Sequence, residues 1–272
     1  MSIDTAVVAG KVYNCLTSAR QIAPFTDGLP HFNQTQAYEV TAALRSLRKA
    51  SGEKPVGRKI GFTNRTIWEE YGVFAPIWGD VYDTTVFDTD AGAQGQLSLS
   101  GLSEPRIEPE IVFGLARPLN AGMSDKEIVA SLDWIAHGFE VVQSIYPRWE
   151  FKIADTIACG GLHGRMIIGP RHPVSGWKPD ILLDKLASFA IDLTCNGKPV
   201  DTGGGANVLD SPVRALSHLA ELLEEDTSNP PLAAGEIITT GTLTRAFSAS
   251  PGETWATSLN GIALPGLNVT FS

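Results

Sequence analysis

Arg106-Ile107-Glu108-Pro109-Glu110-Ile111-Val112-Phe113 is the stretch on which the reading of this chain turns. Side chains of a strand alternate between two faces. Ile107, Ile111 and Phe113 then share one face, and Glu108 and Glu110 share the other. Two like charges side by side repel, which costs stability unless a cation sits between them. A hard divalent ion with oxygen ligands meets that need. An edge strand with a wetted acidic face removes it. The pair by itself leaves both readings open.

Working outward, Glu140 lies in His137-Gly138-Phe139-Glu140-Val141-Val142, an apolar run with the texture of a strand. A carboxylate there is expensive to bury unpaired. An arginine partner is the ordinary solution. With Glu108 and Glu110 it would instead complete three oxygen donors, which suit Mg²⁺ or Mn²⁺ and leave positions open for a chelating substrate. Lys59, in Lys59-Ile60-Gly61-Phe62, points away from Ile60 and Phe62 if this is a strand, and Gly61 allows close approach. It would neutralise a substrate carboxylate or carry protons, although most lysines are surface groups. Asp155 reads first as a helix or turn cap. His163, between Leu162 and Gly164 after Gly160-Gly161, has glycines that let backbone approach a ligand; it is a candidate proton carrier, set against the commoner structural histidine.

The chain has 272 residues, formal net charge −9 and 43% hydrophobic residues, an ordinary globular composition with room for a large core. The acidic balance argues against nucleic acid or an anionic membrane surface as a partner. No apolar run of about 18 residues predicts a membrane helix. Met1-Ser2-Ile3-Asp4-Thr5 does not read as a signal peptide. Cys15, Cys159 and Cys195 are odd in number and widely spaced, neither a disulfide framework nor a zinc site. A reducing cytoplasm is the expected location.

Residues 1–55 read as a helical part, with Val8, Val12, Cys15, Leu16 and Ala19, then Ala37, Val40, Ala43, Leu44 and Leu47, at helical spacing. Pro24 to Pro30 separate the two. Residues 56–272 read as a β-rich part with the metal site, cut by glycine, proline, asparagine and aspartate. Asn196-Gly197 and Asn260-Gly261 predict type I′ hairpins. Ser124-Asp125-Lys126-Glu127 is a capping box that predicts a helix carrying Ile128, Leu132 and Ile135. A second helix begins near Ser211-Pro212 with a stripe of Leu216, Leu219, Leu222 and Leu223. Gly203-Gly204-Gly205 reads as a flexible turn. It is no phosphate loop, because no Gly-Lys-Ser/Thr follows. Gly-x-Ser-x-Gly, His-Glu-x-x-His and Gly-x-Gly-x-x-Gly are all absent from the sequence.

The ordered set of motifs resembles the fumarylacetoacetate hydrolase superfamily, in its branch of 2-hydroxypenta-2,4-dienoate (2-keto-4-pentenoate) hydratases and 4-oxalocrotonate decarboxylases. The pieces are Val56-Gly57-Arg58-Lys59-Ile60-Gly61-Phe62-Thr63, Ile107-Glu108-Pro109-Glu110-Ile111, Gly138-Phe139-Glu140-Val141-Val142, Ile153-Ala154-Asp155-Thr156-Ile157-Ala158, Gly203-Gly204-Gly205-Ala206-Asn207-Val208-Leu209 and Gly235-Glu236-Ile237-Ile238-Thr239-Thr240-Gly241-Thr242-Leu243-Thr244. The resemblance implies an α+β fold, a mixed β-roll around a metal site with a helical N-terminal part. It implies Mg²⁺ or Mn²⁺ on Glu108, Glu110 and Glu140. Lys59, His163 and Asp155 are the implied catalytic residues. Lys59, Gly61, Thr240 and Leu162 are the implied substrate-binding residues. It implies addition of water to a short 2-hydroxydienoic acid through a metal-stabilised enolate, in catabolism of aromatic or related compounds. A 4-oxalocrotonate-type decarboxylase and an acylpyruvate-type C–C hydrolase are alternatives on the same core. A homo-oligomer, and a complex with a partner decarboxylase, follow from the same likeness. A purely non-catalytic subunit is disfavoured, because it has no need of the charged cluster.

Two departures stand out. After Ala158 the hydratases and decarboxylases usually continue with Asp-Asn and serines, whereas this chain has Cys159-Gly160-Gly161-Leu162-His163-Gly164. Trp78 adds bulk to the stretch Tyr71–Asp80.

Overall fold

Asp4 opens the first helix: its carboxylate accepts from the N–H groups of Ala6 and Val7, both at 3.1 Å. The computed structural model describes residues 3–272; Met1 and Ser2, part of the stretch read for a targeting signal, lie outside the described residues. Helix α1 (Thr5–Ser18) ends where Ala19 turns left-handed. A short turn, α2 (Phe25–Gly28), precedes α3 (Gln34–Ala50), which opens on a reciprocal Asn33/Gln36 capping box and closes with Arg48 and Lys49 against its C-terminal dipole.

Then come β1 (Pro55–Gly61), α4 (Trp68–Tyr71), β2 (Ile77–Tyr82), β3 (Val86–Asp88), β4 (Gln94–Leu97), β5 (Arg106–Leu115) and α5 (Asp125–Val129). They are followed by β6 (Leu132–Val142), α6 (Ile153–Ala158), β7 (His163–Ile168), β8 (His172–Pro173), α7 (Pro179–Ser188), β9 (Ala190–Cys195), β10 (Lys198–Gly204) and α8 (Pro212–Glu225). The chain closes with β11 (Ile237–Thr239), β12 (Phe247–Ser248), β13 (Thr254–Asn260) and β14 (Asn268–Phe271).

The fold is mixed α+β. A curled sheet runs β2-β1-β11-β5-β6-β7-β3, with β12 on β5 and β8 on β6, and a second sheet runs β10-β9-β13-β14-β4. Helices α5, α7 and α8 cover one apolar face through Leu182, Leu186, Leu216, Leu219 and Leu223. Helices α1, α3 and α6 form a second cluster around Val12, Val40, Leu44 and Ile157. The two sheets meet on Ile107, Phe139, Ile167, Leu193, Trp255 and Phe271.

Several local expectations change. The Ser124 capping box is real, but α5 stops at Val129, and Leu132 and Ile135 belong to β6. Pairing with β5 over Arg106–Leu115 overrides the helical spacing. Asn196-Gly197 does turn a hairpin, with φ of 51° and 74°. Asn260-Gly261 does not: Asn260 still pairs with Ala190, and residues 261–267 make a longer connection to β14. Gly203 and Gly204 are strand, not a flexible turn. A Cβ on Gly203 would lie 1.9 Å from the Leu243 carbonyl oxygen, so the glycines serve close packing. Helix α7 had no counterpart among the expected elements.

His137 ties the two sheets together. Its Nδ1–H donates to the Glu110 carbonyl at 2.9 Å and its Nε2 accepts from Thr257 Oγ1 at 2.8 Å. The Thr257 oxygen in turn accepts the Leu267 N–H at 2.9 Å. Burial pushes the His137 pKa down to about 4, with the Glu110 bond opposing. An unfolded histidine titrates near 6.5. Between these values the unfolded chain binds the extra proton, so the contribution of His137 is full above about pH 6.5 and is lost as pH falls toward 4. The stability margin of wild type over His137→Gln, measured by calorimetry, is expected to shrink across that window. A margin that stays constant from pH 7 to 4.5 refutes this account.

Candidate functional site

Four neighbouring strands assemble the charged cluster. Lys59 on β1 pairs with Thr239 on β11, Thr239 pairs with Val112 on β5, and Glu108 on β5 sits directly opposite Glu140 on β6. Glu110 faces Gly138, where a Cβ would lie 2.9 Å from Val112. The result is three carboxylates, each offering an oxygen within 4.8 Å of the others. Lys59 Nζ lies 3.0 Å from Glu140 Oε2. Glu110 Oε2 accepts the Gly241 N–H at 2.7 Å and the Thr239 hydroxyl. His163 Nδ1–H donates to Glu140 Oε1 at 2.7 Å, while Thr85 Oγ1 hydrogen-bonds its Nε2 at 2.8 Å.

The charges are unevenly settled. Burial would raise the Glu140 pKa, but Lys59 and His163 outweigh it and hold it at about 2. Burial raises Glu108 to about 7 against the pull of Lys59. Burial and then the Glu140 charge push Glu110 well above the carboxylate range. Burial opposes the charge on Lys59, yet Glu140, Glu108 and Glu110 together drive its pKa up. One lysine thus stands against three carboxylates.

The residues fit a hard divalent ion. Glu110 Oε1 is buried with no hydrogen-bond partner, and Glu140 Oε2 has the Lys59 ammonium nearby but no aligned hydrogen bond. Oxygens left without donors in a buried acidic cluster are the donor set that Mg²⁺ or Mn²⁺ takes.

A small cavity of about 30 Å³, or about 450 Å³ with its open mouth counted, reaches the cluster at Glu108. Lys59, Gly61, Glu108 and Leu162 line it, with Phe62, Ile67, Tyr71, Val142 and Trp149. Its other polar side chains are spent on backbone. Thr63 donates to the Thr240 carbonyl, and Asn64 and Thr242 donate to that of Thr244. The Trp149 indole donates to the Glu104 carbonyl.

The remaining expected residues fall elsewhere. His163 reaches Glu140 but lines separate crevices beside Arg48, not this cavity, so it stands behind the cluster. Asp155 is fully buried and does not line the cavity. It accepts from the Thr26 N–H and hydroxyl at 3.1 and 2.7 Å and from the Lys152 N–H at 2.9 Å, which pins α2 to α6. Thr240 points its hydroxyl at the Ile111 carbonyl and does not line the cavity. Sequence reasoning passed over Tyr71, Trp149 and Arg106. The strand alternation carries a signal for Arg106, which shares the face of Glu108; nothing comparable marks the two aromatics.

Residues 89–265 match the family model described as fumarylacetoacetate (FAA) hydrolase C-terminal. The chain belongs to the fumarylacetoacetate hydrolase family. It is 33% identical over 263 residues to a 2-hydroxyhexa-2,4-dienoate hydratase of Comamonas testosteroni, covering 96% of this chain and 95% of the relative. It is 31% identical over 255 residues to a 2-keto-4-pentenoate hydratase of Paraburkholderia xenovorans, covering 93% and 90%. The solved structure of a 4-oxalocrotonate decarboxylase from Pseudomonas putida G7, complexed with magnesium and adipate, superposes with a TM-score of 0.88 at 27% identity, covering 98% of this chain and 97% of that one. These family members are enzymes, and the magnesium in the solved structure accords with the donor set found here.

For this family member the geometry predicts that Mn²⁺ raises the thermal midpoint, since an ion that binds the folded chain alone stabilises it. The Glu108→Gln/Glu110→Gln variant should lose that rise. Equal midpoints of the wild type in Mn²⁺ and in chelator would exclude the ion site.

Proposed function

We propose that the chain is a divalent-metal-dependent hydratase that adds water to a short 2-hydroxydienoic (2-oxo-enoic) acid. One observation carries it: a single cavity joins Lys59 and Glu108 of the carboxylate cluster to a lining that is largely apolar and aromatic. Such a cavity suits an acid with a hydrocarbon tail. Identities of 33% and 31% to hydratases support the same reading.

In this reading Glu108, Glu110 and Glu140 hold Mg²⁺ or Mn²⁺. The bound ion supplies Lewis-acid stabilisation of negative charge on the C2 oxygen of the substrate. Lys59 binds the C1 carboxylate. Its pairing with Glu140 keeps it cationic, which makes it a binding group and not a base. Gly61 leaves it space, because a Cβ there would lie 3.3 Å from Nζ. Phe62, Ile67, Val142 and Leu162 cover the tail and exclude water, so each charge acts in a low dielectric. His163 orients Glu140 from behind.

Decarboxylation is the second reading, favoured by the superposition on the decarboxylase. An oxalocrotonate carries a second carboxylate. The cavity lining offers one cation, Lys59, and Arg106 is already engaged by Tyr71 and Trp149. That balance favours an uncharged tail. Homo-oligomers, a complex with a partner decarboxylase and a cytoplasmic location rest on the resemblance alone; among the described residues no helix is long and apolar enough to cross a membrane.

The test is turnover of 2-hydroxypenta-2,4-dienoate by purified protein with Mg²⁺, followed by ultraviolet absorbance and product mass. Gain of one water is expected, with a loss beyond about 100-fold in Glu108→Gln, the scale of removing a preorganised electrostatic stabiliser. Release of CO₂ from an oxalocrotonate, without hydration of the dienoate, would replace this reading with the second.

A further inference from the structure

Tyr71 brings a phenol to the cavity shared by the charged cluster. Its ring lines the same cavity as Lys59 and Glu108. Its oxygen accepts a hydrogen bond from the Arg106 guanidinium. Among the described residues no acceptor takes the phenol's own O–H. The other polar side chains of the lining are spent on backbone, as shown above. Besides the Lys59 ammonium and the second N–H of the Asn64 amide, Tyr71 is therefore the side-chain donor that lines the cavity with its proton unspent.

Its surroundings hold it in place. The ring stacks on Phe151 at 6.0 Å and 7°, and meets the edge of Phe62 at 5.8 Å. Arg106 lies 4.3 Å from the centroid of the Trp149 ring, which keeps the guanidinium against the phenol. Trp149 and the preceding Arg148 both have φ of 61°. Left-handed backbone at two successive non-glycine residues is strained and persists where surrounding contacts enforce it. Glu104 does so, accepting the Arg148 N–H at 3.0 Å and the Trp149 indole N–H at 3.1 Å.

We propose that the Tyr71 hydroxyl is the acid that protonates the distal carbon of the 2-hydroxydienoate before water adds. This rests on the hydratase reading. The enol O–H bond breaks and its proton passes to water. Its electron pair forms the C2 carbonyl, the double bond moves to C3–C4, and the C4–C5 pair takes the Tyr71 proton as a new C5–H bond. Arg106 stabilises the phenolate until water returns a proton. Burial first, with Arg106 opposing, keeps the resting phenol above its ordinary pKa, so it enters the step protonated.

The experiment compares wild type with Tyr71→Phe on two substrates, both with Mg²⁺. One is 2-hydroxypenta-2,4-dienoate. The other is 2-oxopent-3-enoate, which already carries the C5 proton and needs only water addition. Tyr71→Phe is expected to lose about 100-fold or more on the first, the scale of general acid catalysis, and less than about threefold on the second. Equal losses on both would assign Tyr71 a structural role and overturn the proposal, as would no loss on either. A wild type that hydrates neither acid overturns the hydratase reading itself, and the proposal with it.

Discussion

Glu108 and Glu140 stand directly opposite each other on adjacent strands, with Glu110 two residues along. Like charges in that position destabilise a sheet. Much of the architecture answers this repulsion. Sheet order places β1 and β11 beside β5, so Lys59 reaches Glu140, and Thr239 and Gly241 reach Glu110. His163 arrives from β7 on the other flank. Glu140 and Glu110 are approached from different elements, and one oxygen of each of the three carboxylates lies within 4.8 Å of the others. A stability-driven sequence would place apolar side chains here, because breaking even buried pairs is costly and replacing them is often neutral. The cluster makes sense as a site built for a cation and an anionic substrate.

Rigidity comes from outside the cluster. The cavity walls hang on a loop, Arg148–Phe151, that adopts left-handed backbone at two successive residues and is pinned by Glu104, itself left-handed at φ 46°. Asp155, buried between α2 and α6, fastens the start of the next helix. These residues touch no candidate ligand, yet they fix where Trp149 and Phe151 stand.

The carboxylates and Lys59 were legible because two-residue alternation in β5 and the apolar context of Glu140 are local signals. The N-terminal helices and the Asn196-Gly197 turn were legible for the same reason. Failures came where a distant partner decided. Leu132 and Ile135 keep helical spacing after a sound capping box, yet their backbone pairs with a strand about twenty residues earlier. Asn260-Gly261 has the composition of a tight turn, but β9 holds Asn260 in register. Asp155 finds its partner Thr26 129 residues away, a contact no local pattern announces. Tyr71 and Trp149 are far apart in sequence and meet edge-on at 6.5 Å, with Phe151 and Arg106 against both.

The segment Cys159–Gly164 works through its backbone. Gly160, Gly161 and Leu162 are consecutively left-handed, at φ of 76°, 69° and 65°. Such a run favours glycine, and the two glycines make it affordable for Leu162. The turn presses against β2 and Lys59. A Cβ on Gly79 would meet the Gly160 carbonyl oxygen at 2.1 Å, and one on Gly161 would lie 3.2 Å from Lys59 Cδ. The segment therefore sets the position of the lysine by contact, turns Leu162 into the cavity and delivers His163 to the back of Glu140. A side chain at 161 would press on Lys59, and one at either glycine would strain the left-handed backbone. The altered motif is thus coupled to the carboxylate cluster through packing.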